Sequence, residues 1–203
     1  MPKPALLIDV DGPLNPFRAT PTLRPAGYRT HRYRANEAIT YRVWLNPAHG
    51  PALAALSEQF ELMWATTWQQ EANTWIGPKI GLPQLPVITF GAEPARPVPA
   101  LDDGRDIHRK SETIAAAMSG RRFVWIDDEI TDVDADYLSR RHYPSFSLYR
   151  IDPAVGLLDA DFAAIGDLAG GGPKMSCGPD HAAMRRKLHV EKTARRAARS
   201  RPH

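Results

Sequence analysis

The chain has 203 residues, of which 43% are hydrophobic and 24% charged, and its formal net charge is +3. This composition excludes a disordered or fibrous chain and predicts one α/β domain with a tail. We expect a cytoplasmic protein, because no apolar run suits a signal peptide or a membrane span, and the single Cys177 excludes an internal disulfide or a cysteine-based metal site.

The first predicted element is a buried parallel strand that ends in two aspartates. Residues 5–8 form an apolar run without alternation, and Asp9-Val10-Asp11-Gly12 follows. Side chains two residues apart in a strand share a face, so Asp9 and Asp11 are predicted to lie together. Such a pair needs a cation or a shared proton. Two solvated aspartates before a turn remain the alternative interpretation.

The next segment, residues 17–46, is predicted to form a loop and a β-hairpin that we call the flap. Alternating tyrosine and arginine follow early prolines, a pattern typical of a hairpin. The flap holds six arginines against one acid, Glu37: Arg18, Arg24, Arg29, Arg32, Arg34 and Arg42. Because it follows the aspartates directly, the flap is expected to overhang them. Arg29 and Arg32 are candidate substrate ligands, although a solvated hairpin would carry the same charges.

The middle of the chain is predicted to alternate helices and strands. A helix begins at Asn46-Pro47, and a strand over 61–66 ends in the hydroxyls of Thr66 and Thr67. A helix over 68–76, closed by Gly77-Pro78, a strand over 85–90 and a loop over 91–106 follow. The next helix, over 110–118, begins at Lys110.

The second half of the body repeats the opening pattern. A strand over 122–128 ends in Asp127 and Asp128, and a strand over 143–151 and a helix over 158–168 follow. This alternation predicts a parallel sheet with right-handed crossovers. In such a sheet the strand ends share one edge, where ligands bind, so four groups far apart in sequence are expected to converge there: Asp9 with Asp11, Thr66, Lys110, and Asp127 with Asp128.

A glycine run at 170–172 is predicted to separate a body, residues 1–172, from a basic tail, residues 173–203. The tail carries nine basic and two acidic residues, which leaves the body with a net charge of −4. The tail is predicted to be flexible or helical. Contact with nucleic acid or another anionic surface is one interpretation, and a solubilising extension is the other.

The ordered set of Asp-x-Asp, strand-end Thr, Lys and Asp-Asp resembles the four motifs of the haloacid dehalogenase (HAD) superfamily, most of whose members are Mg²⁺-dependent phosphatases. Three segments are similar, more narrowly, to the small HAD domains grouped with Swiss Army Knife RNA repair proteins. These segments are Asp-Val-Asp-Gly with Leu-Asn-Pro at 9–16, Trp-Ala-Thr-Thr-Trp at 64–68, and Trp-Ile-Asp-Asp-Glu-Ile at 125–130. Pro13 departs from the Thr or Val that most HAD phosphatases carry.

The resemblance implies a HAD-like Rossmannoid three-layer sandwich with a mostly parallel sheet and no large cap. It also implies an aspartyl-phosphate mechanism, and the chemistry of the residues agrees. Asp9 is the expected nucleophile, and Asp11 the acid and base for the leaving alcohol and the attacking water. Lys110 and Thr66 are expected to bind the phosphoryl oxygens.

Mg²⁺ is the expected cofactor, because the site offers few carboxylates and no histidine or cysteine. Asp9, the carbonyl of Asp11 and Asp127 are the predicted ligands, with Asp128 behind them. His108 and Arg109 are alternative candidates for the role of Lys110.

Two other functions compete with the phosphatase. A nucleotidyl- or glycosyltransferase could use the two aspartates as a metal clamp, but it would not need the ordered Thr and Lys. A non-catalytic RNA-binding module could use the flap and the tail. A polynucleotide end, a protein and a small phosphate ester all remain possible substrates, and the sequence does not predict the oligomeric state.

Overall fold

A five-stranded parallel sheet organises the protein, whose computed structural model describes residues 2–20, 24–35, 37–91, 101, 104–141 and 145–199. The strands are β1 (Ala5–Ile8), β4 (Glu61–Trp64), β5 (Phe123–Asp127), β6 (Phe146–Arg150) and β7 (Met175–Cys177), in the spatial order β4-β1-β5-β6-β7. Every neighbouring pair is parallel. Most of the predicted loop over 91–106 and the start of the strand predicted over 143–151 lie outside the described residues.

Helices cover both faces of the sheet. They are α1 (His49–Leu56), α2 (Gly77–Ile80), α3 (Ser111–Ala117), α4 (Asp132–Arg141), α5 (Asp159–Asp167) and α6 (His181–Arg199). Leu6 and Ile8 of β1 enter one apolar cluster, which includes side chains of α1 and α5. Leu7 enters the other, with side chains of α3 and α4. β1 is therefore buried on both faces, and the predicted α/β class with a parallel sheet is confirmed as a Rossmann-like sandwich.

The predicted flap is confirmed as an antiparallel hairpin of β2 (Arg29–Arg34) and β3 (Thr40–Leu45). β3 enters the body through its last residues, since Val43, Trp44 and Leu45 are buried whereas Thr40 to Arg42 are exposed. The ring of Tyr33 stacks on that of Trp75, with centroids 5.3 Å apart. The hairpin is thus anchored to the sheet domain at its base and by an aromatic contact higher up.

The predicted strand over 85–90 is not formed in the structure. Val87 makes one isolated bridge to Trp64, beside Pro86, which has no N–H to donate to a ladder. Gly77-Pro78 also does not close the preceding helix. A π-helical turn (Ala72–Ile76) runs directly into α2, where Pro78 stands in the first turn and needs no N–H partner.

The chain past the glycine run belongs in part to the sheet domain. β7 pairs with β6 as the last strand, three residues beyond the boundary predicted after Gly172. His181, the first residue of α6, is buried, and its Nε2 lies 2.8 Å from a carboxylate oxygen of Asp161 in α5. The boundary predicted from composition is misplaced because composition describes side chains, whereas β7 joins the sheet through hydrogen bonds of its backbone. None of the described helices combines the length and apolarity needed to cross a membrane.

Candidate metal and phosphate site

The carboxyl ends of β1 and β5 and the start of α3 bring acidic and basic side chains into one crevice. Asp9 follows β1, Asp127 ends β5, and Lys110 immediately precedes α3. β1 and β5 are paired in parallel register, with Ile8 opposite Ile126, so Asp9 and Asp127 stand side by side. The structure therefore brings these three side chains together, as the sequence predicts.

Three buried carboxylates form the centre of the site. Asp9, Asp127 and Asp128 each place one oxygen within 4.8 Å of the others. Asp127 is fully buried, and Oδ2 of Asp128 is buried without a hydrogen-bond partner in the described part of the chain. An acidic cluster with an unsatisfied buried oxygen suits a hard cation, and these three residues can hold a metal ion.

Gly12 allows Asp128 to join this cluster. Its φ of +85° lies in the left-handed region, and a Cβ at this position would stand only 2.5 Å from Oδ1 of Asp128. Only glycine combines this backbone conformation with so close an approach. The glycine after Asp11 thus makes room for an aspartate that is more than a hundred residues away in the sequence.

Lys110 bridges two of the carboxylates. Its Nζ lies 2.7 Å from Oδ2 of Asp9 and 2.8 Å from Oδ2 of Asp127, and only 3% of the residue is exposed. The backbone around it is fixed by Asp134 of α4, whose Oδ1 accepts from the backbone N–H of His108 and the hydroxyl of Ser111. The lysine is therefore held in place as a permanent counter-charge of the site.

One ammonium does not neutralise three carboxylates. Burial raises the pKa of Asp9 to about 8 against the attraction of Lys110, and burial together with the charges of Asp127 and Glu129 raises the pKa of Asp128 to about 7. Burial also acts to raise the pKa of Asp127, but the charges of Lys110 and His108, together with hydrogen bonds from Lys110 and the N–H of Glu129, lower that pKa overall. Near neutral pH the cluster retains protons that a divalent cation would displace.

Asp11 lies apart from the three carboxylates, half-buried and held by two donors. Nδ2 of Asn15 donates to its Oδ1 at 2.6 Å, and Nε1 of Trp68 donates to its Oδ2 at 2.9 Å. Both oxygens are therefore oriented by neighbours. The sequence placed Asp11 on the face of Asp9, but it did not indicate that Trp68, two residues after Thr66, would hold the carboxylate.

The two threonines after β4 take different positions. Thr66 is fully buried and hydrogen-bonds to Asp9 through its side chain, and its Oγ1 also accepts from the N–H of Trp68 at 3.3 Å. Thr67 is exposed and lines the cavity in front of the carboxylates. Both predicted hydroxyls are thus at the site, one behind Asp9 and one facing solvent.

A cavity of about 700 Å³ opens from the carboxylates towards the flap. Asp9, Asp11 and Lys110 lie in its wall, and the rest of the lining includes four aromatic side chains: Phe17, Tyr41, Trp68 and Trp75. Phe17 and Tyr41 are 45% and 47% exposed, which is unusual for rings of this size. The cavity thus has carboxylates at its inner end and aromatic side chains along the rest of its wall.

The arginines in the cavity wall are not those that the sequence singled out. Arg42 of β3 and Arg109 line the cavity. Arg29 and Arg32 are exposed on β2 and are not among the described residues that line it. The alternation of a hairpin shows which residues share a face, but not which strand of the hairpin lies nearer the site. His108, the other alternative to Lys110, instead lies with its Nε2 3.2 Å from a carboxylate oxygen of Glu129.

Comparisons of the chain with protein-family models, with curated proteins and with solved structures found no match.

Proposed function

We propose that this protein is a Mg²⁺-dependent phosphoric monoester hydrolase of the HAD type, acting through an aspartyl-phosphate on Asp9. The observation that carries the proposal is the setting of Asp9. Its carboxylate follows β1, a strand paired on both sides, lies in a cluster with Asp127 and Asp128, is 2.7 Å from Lys110, and borders an open cavity. A carboxylate in this setting is a suitable nucleophile for phosphorus.

Four other residues have roles in the proposed reaction. Asp11 protonates the leaving alcohol and then accepts a proton from the attacking water, and its bonds to Asn15 and Trp68 orient it for both steps. Lys110 supplies positive charge to the equatorial oxygens of the phosphoryl group in flight. Thr66 orients Asp9 from behind, and Thr67 faces the space that the phosphate would occupy.

Asp9, Asp127 and Asp128 would hold the cation, together with the carbonyl of Asp11. Three carboxylates without histidine or cysteine favour a hard cation, and the open cavity leaves room for the waters that Mg²⁺ retains. When bound, Mg²⁺ would neutralise charge on the phosphate and align it with Asp9.

A second candidate is an RNA-binding module without catalysis. The exposed rings of Phe17 and Tyr41 and the guanidinium of Arg42, 4.9 Å from the centroid of Trp44, favour contact with bases and phosphates. The intact Asp9 and Asp11 favour the hydrolase. A nucleic-acid end is a substrate that combines both sets of features.

The test is hydrolysis of 4-nitrophenyl phosphate, then of 3′- and 5′-phosphorylated oligonucleotides, with Mg²⁺ or with a chelator. The Asp9→Asn variant should lose activity by about a thousandfold or more, because the amide neither attacks phosphorus nor binds the cation well. Asp132→Asn, at an exposed aspartate of α4, is the matched control. Asp9→Asn activity close to that of the unmodified protein would exclude the mechanism, and oligonucleotide binding without hydrolysis would favour the second candidate.

A further inference from the structure

A second cavity, of about 530 Å³, adjoins the first. Asp128 and Glu129 line both cavities, so the two share a wall at the end of β5. Three arginines from distant parts of the chain line the second cavity: Arg18 of the flap, Arg150 at the end of β6 and Arg185 of α6.

The acidic side chains of this second cavity have other partners. Asp128 belongs to the carboxylate cluster, Glu129 lies 3.2 Å from His108, and Asp152 lies 2.7 Å from Arg185. Among the described residues, no carboxylate lies within 4.0 Å of the guanidinium groups of Arg18 or Arg150. Within the described part of the chain, Arg18 and Arg150 thus form no ion pair, although three carboxylates lie in the same cavity lining.

The backbone or side chain of each arginine is fixed by the fold. Nε of Arg150 donates to the carbonyl of Asp128 at 3.3 Å, and the backbone N–H of Arg18 donates to the carbonyl of Pro153 at 3.0 Å. Arg185 is one helical turn after the buried His181, which anchors the start of α6. A planar guanidinium can donate two parallel hydrogen bonds to a phosphate, so three arginines around one cavity have the chemistry that a phosphate ligand needs.

We propose that the second cavity is a subsite for a second phosphate group of the substrate, with Arg18 and Arg150 as its main ligands and Arg185 at its margin. This inference rests on the proposed function and narrows it to phosphate monoesters that carry another phosphate. Two sources share this chemistry: the neighbouring phosphodiester of a nucleic-acid strand, and the second monoester of a small bisphosphate. The start of the basic tail then contributes to substrate binding through Arg185.

The experiment compares KM and kcat for three substrates with one nucleoside in common: adenosine 5′-monophosphate, adenosine 3′,5′-bisphosphate and a 5′-phosphorylated adenosine dinucleotide. Arg18→Gln should raise KM for the substrates with a second phosphate by about tenfold, the effect of one lost charge-assisted hydrogen bond. It should leave the monophosphate unchanged. Arg186→Gln, at an exposed arginine of α6 outside the cavity, is the matched control.

If Arg18→Gln raises KM only for the dinucleotide, the second phosphate belongs to a nucleic-acid strand. If it raises KM only for the bisphosphate, the second phosphate belongs to a small molecule. An equal effect on all three substrates, or none, would overturn the subsite. Binding of adenosine 3′,5′-bisphosphate, followed by tryptophan fluorescence in a chelator, separates the two proposals. Weaker binding in Arg18→Gln without hydrolysis by any form would support the subsite and reject the hydrolase, whereas unchanged binding would reject the subsite.

Discussion

Trp68 connects the flap to the candidate acid of the site. Its ring packs edge-on against those of Tyr33, Tyr41 and Trp75, and its Nε1 donates to Asp11. Contacts with the tyrosine rings of the flap thus orient the plane of the indole, and the hydrogen bond to Asp11 orients its N–H. Within the proposed mechanism, Trp68 acts as a positioning residue for Asp11.

Trp68→Phe should lower kcat/KM for an alkyl phosphate about tenfold and change kcat/KM for 4-nitrophenyl phosphate little. The reason is that an alkoxide needs the proton of Asp11 to leave, whereas 4-nitrophenolate does not. The measurement is kcat/KM for glycerol phosphate and for the aryl ester in the same preparation, because this ratio reports the step in which the alcohol leaves and not the later attack of water, which both substrates share. Trp75→Phe, in the same aromatic group, is the control. Equal losses on both substrates would assign Trp68 a structural role only.

At the scale of elements, the position of Lys110 depends on a joint between α3 and α4. The buried carboxylate of Asp134 accepts from the N–H of His108, the hydroxyl of Ser111, and both the N–H and hydroxyl of Thr131. One side chain therefore satisfies donors from the turn that carries the lysine and from the start of the next helix.

Asp134→Ala should lower the free energy of unfolding by roughly 2–4 kcal/mol, because it leaves several donors without a partner in a buried place. Urea denaturation measures this change. Asp132→Ala, at an exposed position two residues earlier, should stay within about 0.5 kcal/mol of the unmodified protein. Equal unfolding midpoints for the two variants would show that the joint does not stabilise the fold.

The elements also show what sequence can predict. Apolar runs that end in Asp9 and Asp127 predicted two strands and their charged ends, because burial on both faces removes alternation and a parallel sheet aligns its strand ends. The bonds from Trp68 to Asp11 and from Asp134 to His108 could not be predicted in this way. They join side chains from different elements, whose meeting depends on packing rather than on any local pattern.

At the scale of the whole molecule, the basic tail is divided between fold and surface. β7 completes the sheet and His181 hydrogen-bonds to buried Asp161, whereas the part of α6 from Lys187 to Val190 is mostly exposed. The charge pattern predicted an appendage from residue 173 onwards. A charge pattern depends on side chains, whereas β7 joins the sheet through its backbone, so the pattern could not predict this strand of three residues.

Deletion of residues 173–203 should lower the free energy of unfolding by at least about 2 kcal/mol, since it removes β7 and the buried partner of Asp161. Deletion of 190–203 should leave stability almost unchanged. Thermal and urea unfolding of the two shortened chains check this. If both deletions proved equally harmless, β7 and His181 would contribute nothing to the fold.

The position of β1 between two partner strands, β4 and β5, affects how the chain folds as it is synthesised. β1 leaves the ribosome before the other described strands, yet Ala5 pairs with Glu61 on one side and Phe123 on the other. Its apolar side chains therefore remain without their final neighbours until more than half of the chain has been made. Such distant pairing slows folding and prolongs the exposure of an aggregation-prone segment. We expect the nascent chain to depend on chaperones during this interval.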